Sequence, residues 1–235
     1  MINLKNMIDS TQNIVFFGGA GVSTESGIPD FRSVDGLYSH KYKYQPEEML
    51  SVDFFINNTA EFYDFYRDKM IYPLVKPNKA HIALAELEKL GKLKAIITQN
   101  IDGLHQMAGS RKVLELHGSV NCNNCVNCKA FYDVKIITAN KSIPRCTCGG
   151  VIKPDVVLYG EGLDSEVLNE AIRFIRAADM LIVGGTSLNV YPAAGLMNYY
   201  KGNKLVLINK SATSFDSNAN LIINESIGKV LGDII

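Results

Sequence analysis

The chain has 235 residues, which is enough for one large domain with a smaller inserted module and too few for several independent domains. Apolar residues make up 47% and charged residues 20%, a composition that excludes extended disorder. Basic and acidic residues both total 24, so the formal charge is zero and no overall field favours nucleic acid or an anionic membrane. We therefore expect neither as a partner.

The first ten residues do not have the pattern of a secretion signal. They contain scattered apolar residues and one aspartate, without a basic region followed by an unbroken apolar run. No apolar run elsewhere approaches the roughly 20 residues that a membrane-spanning helix needs. We therefore predict a cytoplasmic location.

The first predicted element is a buried strand that ends at a glycine turn. Residues Asn13–Phe17 are mostly apolar, and Gly19, Ala20 and Gly21 follow closely. We expect the turn to open a helix whose N-terminus and backbone N–H groups hold a pyrophosphate. The fingerprint for dinucleotide binding is incomplete, because Thr24 stands where its third glycine would be. The alternative is a strand-to-helix turn without a ligand.

A loop with glycine and proline follows the turn at Ser26–Arg32. It combines an aromatic ring, Phe31, with a cation, Arg32. We expect the loop to close over a bound ligand, with the guanidinium meeting phosphate and the ring excluding water. The alternative, a plain surface loop, seldom buries a phenylalanine beside an arginine.

Further along the chain, short apolar runs alternate with helical patterns. Strands are predicted at 95–98, 113–116, 180–183 and 205–208, and helices at 78–90 and 165–177. Strands that alternate with helices predict an α/β fold with a Rossmann-like, doubly wound parallel sheet.

Two segments interrupt this alternation. Residues 33–75 are rich in tyrosine and phenylalanine, with helical spacing around 60–69, and residues 119–153 contain every cysteine. We predict that a helical insertion and a zinc-binding insertion together form a small second lobe. The sheet domain then comprises 1–32, 76–118 and 154–235.

A polar segment, Gln99–Asp102, directly follows the strand predicted at 95–98. Doubly wound proteins bind ligands at this end of their strands. The amides and the carboxylate could therefore read ribose hydroxyls and a carboxamide. The alternative is that Asn100 or Asp102 caps the following helix.

His117 follows the strand predicted at 113–116, at the same end of the sheet. An imidazole in this position is suited to be a general base. Of the other three histidines, His40 and His81 have no polar company in the sequence, and we expect His105 to be structural.

The five cysteines all lie between Cys122 and Cys148, which favours a metal site over disulfides in a chain without a secretion signal. The spacing predicts a zinc site made by Cys125, Cys128, Cys146 and Cys148. Cys122 with Cys125 is an alternative first pair.

The segment Lys153–Glu161 is extended in pattern and lies at the seam between the two predicted lobes. It could pair with an extended peptide by strand addition. The alternative is an ordinary buried strand.

Taken in order, these motifs resemble those of the sirtuin family in its bacterial type, the NAD-dependent protein-lysine deacylases. The matching segments are Gly19–Ser23, Ser26–Arg32, Gln99–Asp102, Leu116–Gly118, the cysteine pairs, Gly160–Glu161, Gly185–Leu188 and Tyr191–Ala194. They span nearly the whole chain, which is more specific than any one motif.

The resemblance implies that NAD is a co-substrate and that one structural zinc ion is present. It implies catalytic roles for His117, Asn100 and Asp102. The residues that it implies as NAD contacts are Gly19, Ala20, Gly21, Thr24, Phe31, Arg32, Gln99, Ile101, Asp102, His117, Thr186, Ser187, Asn209 and Ser226.

The resemblance also implies a reaction and a substrate. The acyl oxygen of a modified lysine attacks the anomeric carbon of the nicotinamide ribose, nicotinamide leaves, and His117 then activates a ribose hydroxyl that attacks the acyl carbon. Water releases lysine and O-acyl-ADP-ribose. Acylated-lysine proteins would bind between the lobes, with Val157, Tyr159, Val190 and Tyr63 as contacts.

A tyrosine and an arginine three residues apart mark the family members that prefer acidic acyl groups. Here Tyr66 stands three residues after Tyr63, and Arg67 comes one residue late. This departure predicts a neutral acyl group such as acetyl. Mono-ADP-ribosyl transfer, NAD hydrolysis and a non-catalytic NAD-sensing module are the alternative functions.

Overall fold

A computed structural model describes residues 2–31, 36–37 and 43–234. In this part of the chain the strands are β1 (Ile14–Gly18), β2 (Leu93–Thr98), β3 (Val113–Glu115), β4 (Gly118–Cys125), β5 (Phe131–Tyr132), β6 (Ile152–Val156), β7 (Met180–Gly184), β8 (Leu205–Ile208) and β9 (Leu221–Ile223). The α-helices are α1 (Ile2–Asp9), α2 (Pro46–Met49), α3 (Val52–Asn57), α4 (Thr59–Lys69), α5 (Lys79–Lys89), α6 (Leu104–Met107), α7 (Lys135–Thr138), α8 (Ser165–Ala177) and α9 (Ile227–Gly232).

The larger part of the molecule is a six-stranded sheet in the order β3-β2-β1-β7-β8-β9, with every pairing parallel. Every residue of β1, β7 and β8 is buried, because helices cover both faces of a doubly wound sheet. All five predicted strands are present, and the predicted doubly wound fold is confirmed.

The two long helices predicted from periodicity are also present. The helix α8 begins after Asp164, whose carboxylate accepts from backbone N–H groups of the first turn. The helix α5 begins after Asn78, whose side-chain amide oxygen likewise accepts from a backbone N–H of the first turn. The buried face of α5 is only partly as predicted. Ile82 is 51% exposed and Leu90 is 65% exposed, while small alanines fill the space against the sheet.

The smaller lobe has a three-stranded antiparallel sheet, in the order β5-β4-β6, and the short helices α2, α3, α4 and α7. Both insertions contribute to one apolar core, with Phe62 and Tyr66 from the first and Ile137 from the second. The predicted limit at 153/154 falls inside β6, so the small sheet extends to Val156. None of the helices within the described ranges is long and apolar enough to cross a bilayer.

Candidate active site

The predicted segments that follow β1, β2, β3 and β7 lie at the carboxyl edge of the six-stranded sheet. The strands β1, β2 and β7 end side by side at Gly18, Thr98 and Gly184. The chain winds outward in opposite directions from β1 and β7, so this edge is the switch point at which doubly wound proteins bind ligands.

The turn after β1 differs from the predicted strand-to-helix turn. Ala20–Val22 and Thr24–Ser26 form two short 3-10 turns, so the predicted helix N-terminus at this position is wrong. Gly27 ends the second turn with a φ of +93°, a left-handed conformation that stops a helix. The hydroxyl of Thr24 donates to the carbonyl of Gly21 at 3.0 Å.

Glycine is required in this turn because two backbones meet there. The N–H of Gly21 donates to the carbonyl of Gly185 at 2.8 Å, and that of Gly19 donates to Gly184 at 3.3 Å. A Cβ on Gly21 would lie 2.8 Å from the Cα of Gly185, which is closer than such atoms approach. These two N–H groups are therefore used inside the protein, and a phosphate would need other donors of the turn.

Ser23 joins the two predicted catalytic side chains of the segment after β2. Its hydroxyl donates to Oδ2 of Asp102 at 2.6 Å and accepts from Nδ2 of Asn100 at 3.0 Å. Ser23 is 1% exposed and Asn100 is 9% exposed, so the chain of hydrogen bonds is shielded from water. The other carboxylate oxygen of Asp102 accepts from the N–H of Leu104, as the capping alternative expects.

Gln99 connects this segment to the turns after β7 and β8. Its side-chain amide donates to the hydroxyl of Thr186 at 3.2 Å, and the N–H of Thr186 donates to Oδ1 of Asn209 at 2.9 Å. Gln99 also holds His117, because its backbone carbonyl lies 2.9 Å from Nδ1 of the imidazole. Residues predicted from three separate motifs thus form one hydrogen-bonded group.

The geometry fixes the tautomer of His117. A carbonyl oxygen only accepts, so Nδ1 carries the hydrogen and Nε2 keeps its lone pair in the neutral ring. Burial lowers the pKa of His117 below its ordinary value, although the hydrogen bond to Gln99 partly opposes this. Nε2 is therefore an unprotonated base at neutral pH.

The other predicted NAD residues have less defined partners. Phe31 and Ile101 are half-buried against the core of the smaller lobe, at the seam where a ligand could be enclosed. Ser187 is exposed, and Ser226 precedes α9 without a side-chain capping bond. Ala20 is half-buried in the turn, and Arg32 lies outside the described residues.

Four cysteines form the cluster predicted from their spacing. The Sγ atoms of Cys125, Cys128, Cys146 and Cys148 all lie within 4.8 Å of one another, and three of the separations are 3.5 Å. Four thiolates around zinc at about 2.3 Å would be about 3.8 Å apart, so the donor set fits that ion. Cys122 is not part of the cluster, so the alternative first pair of Cys122 with Cys125 is wrong.

The chain matches the sequence model described as Sir2 family over residues 19–192. The chain belongs to the Sir2 family. It is 62% identical to a Clostridium tetani protein and 63% identical to a Clostridium perfringens protein, each named NAD-dependent protein deacetylase. These alignments cover 99% of the chain in both cases, and 96% and 97% of the two relatives.

Solved Sir2 structures have the same fold. One Sir2 variant with a deacetylated p53 peptide and 3'-O-acetyl ADP-ribose is 41% identical, with a TM-score of 0.90 over 98% of this chain and 95% of that one. A Sir2 structure with a p53 peptide and NAD+ is 40% identical, with a TM-score of 0.86 over 99% and 95% of the two chains.

The segment 157–161 of this Sir2 chain is held by backbone hydrogen bonds to two other segments. The N–H of Val157 donates to the carbonyl of His117 at 3.0 Å. The N–H of Tyr159 donates to the carbonyl of Leu50 at 2.9 Å, and the carbonyl of Tyr159 accepts from Val52 at 3.0 Å. Tyr159 is 43% exposed.

Tyr63 lies apart from the other predicted substrate contacts. Its side chain is 0% exposed, and its hydroxyl donates to the carbonyl of Ile152 inside the smaller lobe. Burial raises the pKa of Tyr63 well above its ordinary value. A side chain enclosed in this way offers no surface to a substrate, so the prediction for Tyr63 is corrected to a structural role.

Two further features of this Sir2 chain have weak signals in its sequence. Ser23 lies within the glycine-turn motif, but nothing local indicates its bonds to Asn100 and Asp102. His81 and His105 are both buried, with ring centroids 4.8 Å apart. The expectation that His105 is structural agrees with its 1% exposure.

Proposed function

We propose that this Sir2 protein is an NAD-dependent protein-lysine deacetylase that transfers an acyl group from lysine to ADP-ribose and releases nicotinamide. The observation that carries the proposal is the hydrogen-bonded group at the switch point of the sheet. There, Asn100 and Asp102 share Ser23, and the neighbouring Gln99 orients His117. The names of the Clostridium relatives support the same activity.

The hydrogen-bond donors at the carboxyl edge of the sheet that have no partner in the described part of the chain suit the acceptor groups of NAD. Within the described residues, Nδ2 of Asn209 is buried and has no hydrogen-bond partner. A buried amide hydrogen without a partner is costly, so a ribose hydroxyl or another acceptor of the ligand would satisfy it. Thr186 and Asn209 would hold the adenosine end, while Gln99, Asn100 and Asp102 would surround the nicotinamide ribose.

The proposed reaction begins without a base. The acyl oxygen of the lysine substrate attacks the anomeric carbon, and the bond from that carbon to nicotinamide breaks. His117 then takes the proton of a ribose hydroxyl at Nε2, and the hydroxyl oxygen attacks the acyl carbon. Water completes the release of lysine and O-acyl-ADP-ribose. Neutral His117 suits this role because burial lowers its pKa.

The substrate would be a protein segment that carries an acyl-lysine. We place it beside Val157, Tyr159 and Val190, the contacts that the family resemblance implies. Sir2 structures with bound peptides support protein substrates of this kind. A cytoplasmic location, and the exclusion of nucleic acid and membrane partners, stay predictions from composition.

Zinc would have a structural role. All four coordination positions would be filled by Cys125, Cys128, Cys146 and Cys148, which leaves none for substrate. Glycine at position 150 allows the backbone to lie close to the cysteine cluster, because a Cβ on Gly150 would lie only 2.7 Å from Sγ of Cys125.

A product assay tests the proposal. The protein is incubated with an acetyl-lysine peptide, with and without NAD, and the products are identified by mass spectrometry. We expect deacetylated peptide, nicotinamide and O-acetyl-ADP-ribose only when NAD is present. Loss of acetyl without NAD would overturn the proposal. Free ADP-ribose with intact peptide would indicate NAD hydrolysis, ADP-ribosylated protein would indicate transfer, and no nicotinamide would indicate a sensing module.

A further inference from the structure

The outer edge of β6 is occupied by side chains and by the backbone of Pro144, whose carbonyl accepts from the N–H of Ile152 at 3.0 Å. Alternate residues of a strand direct their carbonyls to the same edge, and β4 occupies the inner one. On the outer edge, Ile152 accepts from the hydroxyl of Tyr63, while Pro154 and Val156 accept from Nζ of Lys153 at 3.2 and 3.1 Å. Pro154 has no N–H to offer. A peptide therefore cannot add to β6 itself, and strand addition is confined to the residues after it.

The residues after β6 form a turn that is closed twice. The N–H of Glu161 donates to the carbonyl of Leu158 at 2.9 Å, and the N–H of Leu158 donates to Oε2 of Glu161 at 2.8 Å. Gly160 supplies the left-handed corner with a φ of +93°. Tyr159 is thereby held at the tip of the turn and is 43% exposed.

An ion pair fixes this turn to β6. Nζ of Lys153 lies 3.0 Å from the same Oε2 of Glu161, and the two side chains are only 21% and 29% exposed. One ammonium group thus donates to two strand carbonyls and to the carboxylate that closes the turn. Partial burial and several hydrogen bonds distinguish this pair from the exposed pairs of the surface.

We propose that Lys153 and Glu161 form a positioning clamp for the substrate peptide. The inference rests on the proposed function, because it assumes that acyl-lysine peptides bind along residues 157–161. The clamp acts through Leu158 and Tyr159, whose backbone it holds in one conformation before the peptide arrives. Preorganisation of this kind lowers the cost of binding, so its loss weakens binding of the peptide and leaves NAD binding unchanged.

Steady-state kinetics of Glu161→Gln and Lys153→Met test the clamp. We expect each variant to raise KM for an acetyl-lysine peptide by about tenfold. KM for NAD and kcat at saturating peptide should stay within about twofold of the wild type. The double variant should raise the peptide KM by less than the product of the two single effects, because both variants remove the Lys153–Glu161 pair. Lys153→Arg should restore most of the peptide affinity, and Glu86→Gln, which breaks the exposed pair with Lys89, is the matched control.

The contrary results are distinct. An unchanged peptide KM in Glu161→Gln, or equal changes in peptide KM, NAD KM and kcat, would overturn the clamp. Fluorescence anisotropy with a labelled acetyl-lysine peptide measures binding without turnover. If the wild type binds this peptide but does not deacetylate it, the proposed function fails, and weaker binding by Glu161→Gln still supports the clamp. If the wild type binds no peptide, both proposals fail.

Discussion

The hydroxyl of Ser23 donates to the carboxylate of Asp102 across 2.6 Å, although 79 positions separate the two residues in the chain. The same hydroxyl accepts from Asn100, so one buried serine aligns two side chains of the proposed nicotinamide site. A hydroxyl is needed here because it donates and accepts at once.

Replacing Ser23 with alanine should reduce activity without unfolding the protein. The amide of Asn100 and the carboxylate of Asp102 would each lose a buried partner, and we expect kcat/KM for NAD to fall by about 10- to 100-fold. Ser110→Ala is the matched control, since Ser110 is also buried and its hydroxyl has no partner within the described residues. Equal losses in both variants would contradict a specific role for Ser23.

Replacing Cys148 with alanine should release zinc and destabilise the smaller lobe. Three thiolates hold the ion less tightly than four, and the ion contributes to folding of the segment that binds it. Metal analysis and limited proteolysis measure the two effects. Cys122→Ala should keep one zinc per chain, because Cys122 lies outside the cluster. Loss of zinc from Cys122→Ala with retention in Cys148→Ala would show that the ligand set is wrong.

The protein should lose stability in mild acid because of His81 and His105. Burial lowers the pKa of His81 to about 4 and that of His105 to about 3. The charge of His81 also lowers the pKa of His105. Below about pH 6.5 both histidines are protonated in the unfolded chain but stay neutral in the folded chain. The free energy of unfolding therefore falls as the pH decreases from about 6.5 toward 4. Each histidine costs about 2 kcal/mol at pH 5.

Urea unfolding between pH 7 and pH 4 measures this dependence. In His105→Phe, the fall in the free energy of unfolding should be shallower by about 1.4 kcal/mol per pH unit, which corresponds to one proton. A pH dependence identical to that of the wild type would mean that His105 does not titrate with unfolding.

Acetyl peptides should be preferred to succinyl peptides. Arg67, one residue beyond the position that marks preference for acidic acyl groups, donates to the carbonyls of Ile137, Lys141 and Ser142. These bonds tie α4 to the zinc-binding insertion, and the guanidinium also pairs with Asp64 at 3.8 Å, so it is already engaged within the protein and is not directed to an acyl carboxylate. We expect kcat/KM for an acetyl peptide to exceed that for the succinyl peptide by at least about tenfold. Equal rates would show that another cation reaches the acyl group.

The sheet was predictable because its strands are buried on both faces. A continuous apolar run such as Met180–Val183 can be recognised as a buried strand from the sequence alone. The polar segments that follow parallel strands lie at one edge of the sheet, whatever the lengths of the loops between them. The four zinc cysteines were predictable for a different reason. Each pair of ligands lies in a short local turn, so its spacing can be recognised in the sequence.

Contacts between distant segments were not predictable. The bond from Ser23 to Asp102 and the packing of His81 on His105 depend on how α5 and the segment after β2 meet, which no local pattern encodes. The glycine turn was misread as the start of a helix because its glycines serve packing against Gly185. Tyr63 was misplaced because its assignment came from the family resemblance, and the sequence does not reveal that its ring is buried in the core of the smaller lobe.

The most direct test of the account compares two reactions of His117→Ala with those of the wild type. Deacetylation of an acetyl-lysine peptide and exchange of labelled nicotinamide into NAD are measured on the same preparation, with thermal unfolding as the folding control. In the proposed mechanism His117 acts after nicotinamide has left, so we predict that deacetylation falls by about two to four orders of magnitude while exchange is retained to a much greater extent. Equal loss of both reactions, or undiminished deacetylation in a folded variant, would contradict the role of His117 as the base for the ribose hydroxyl.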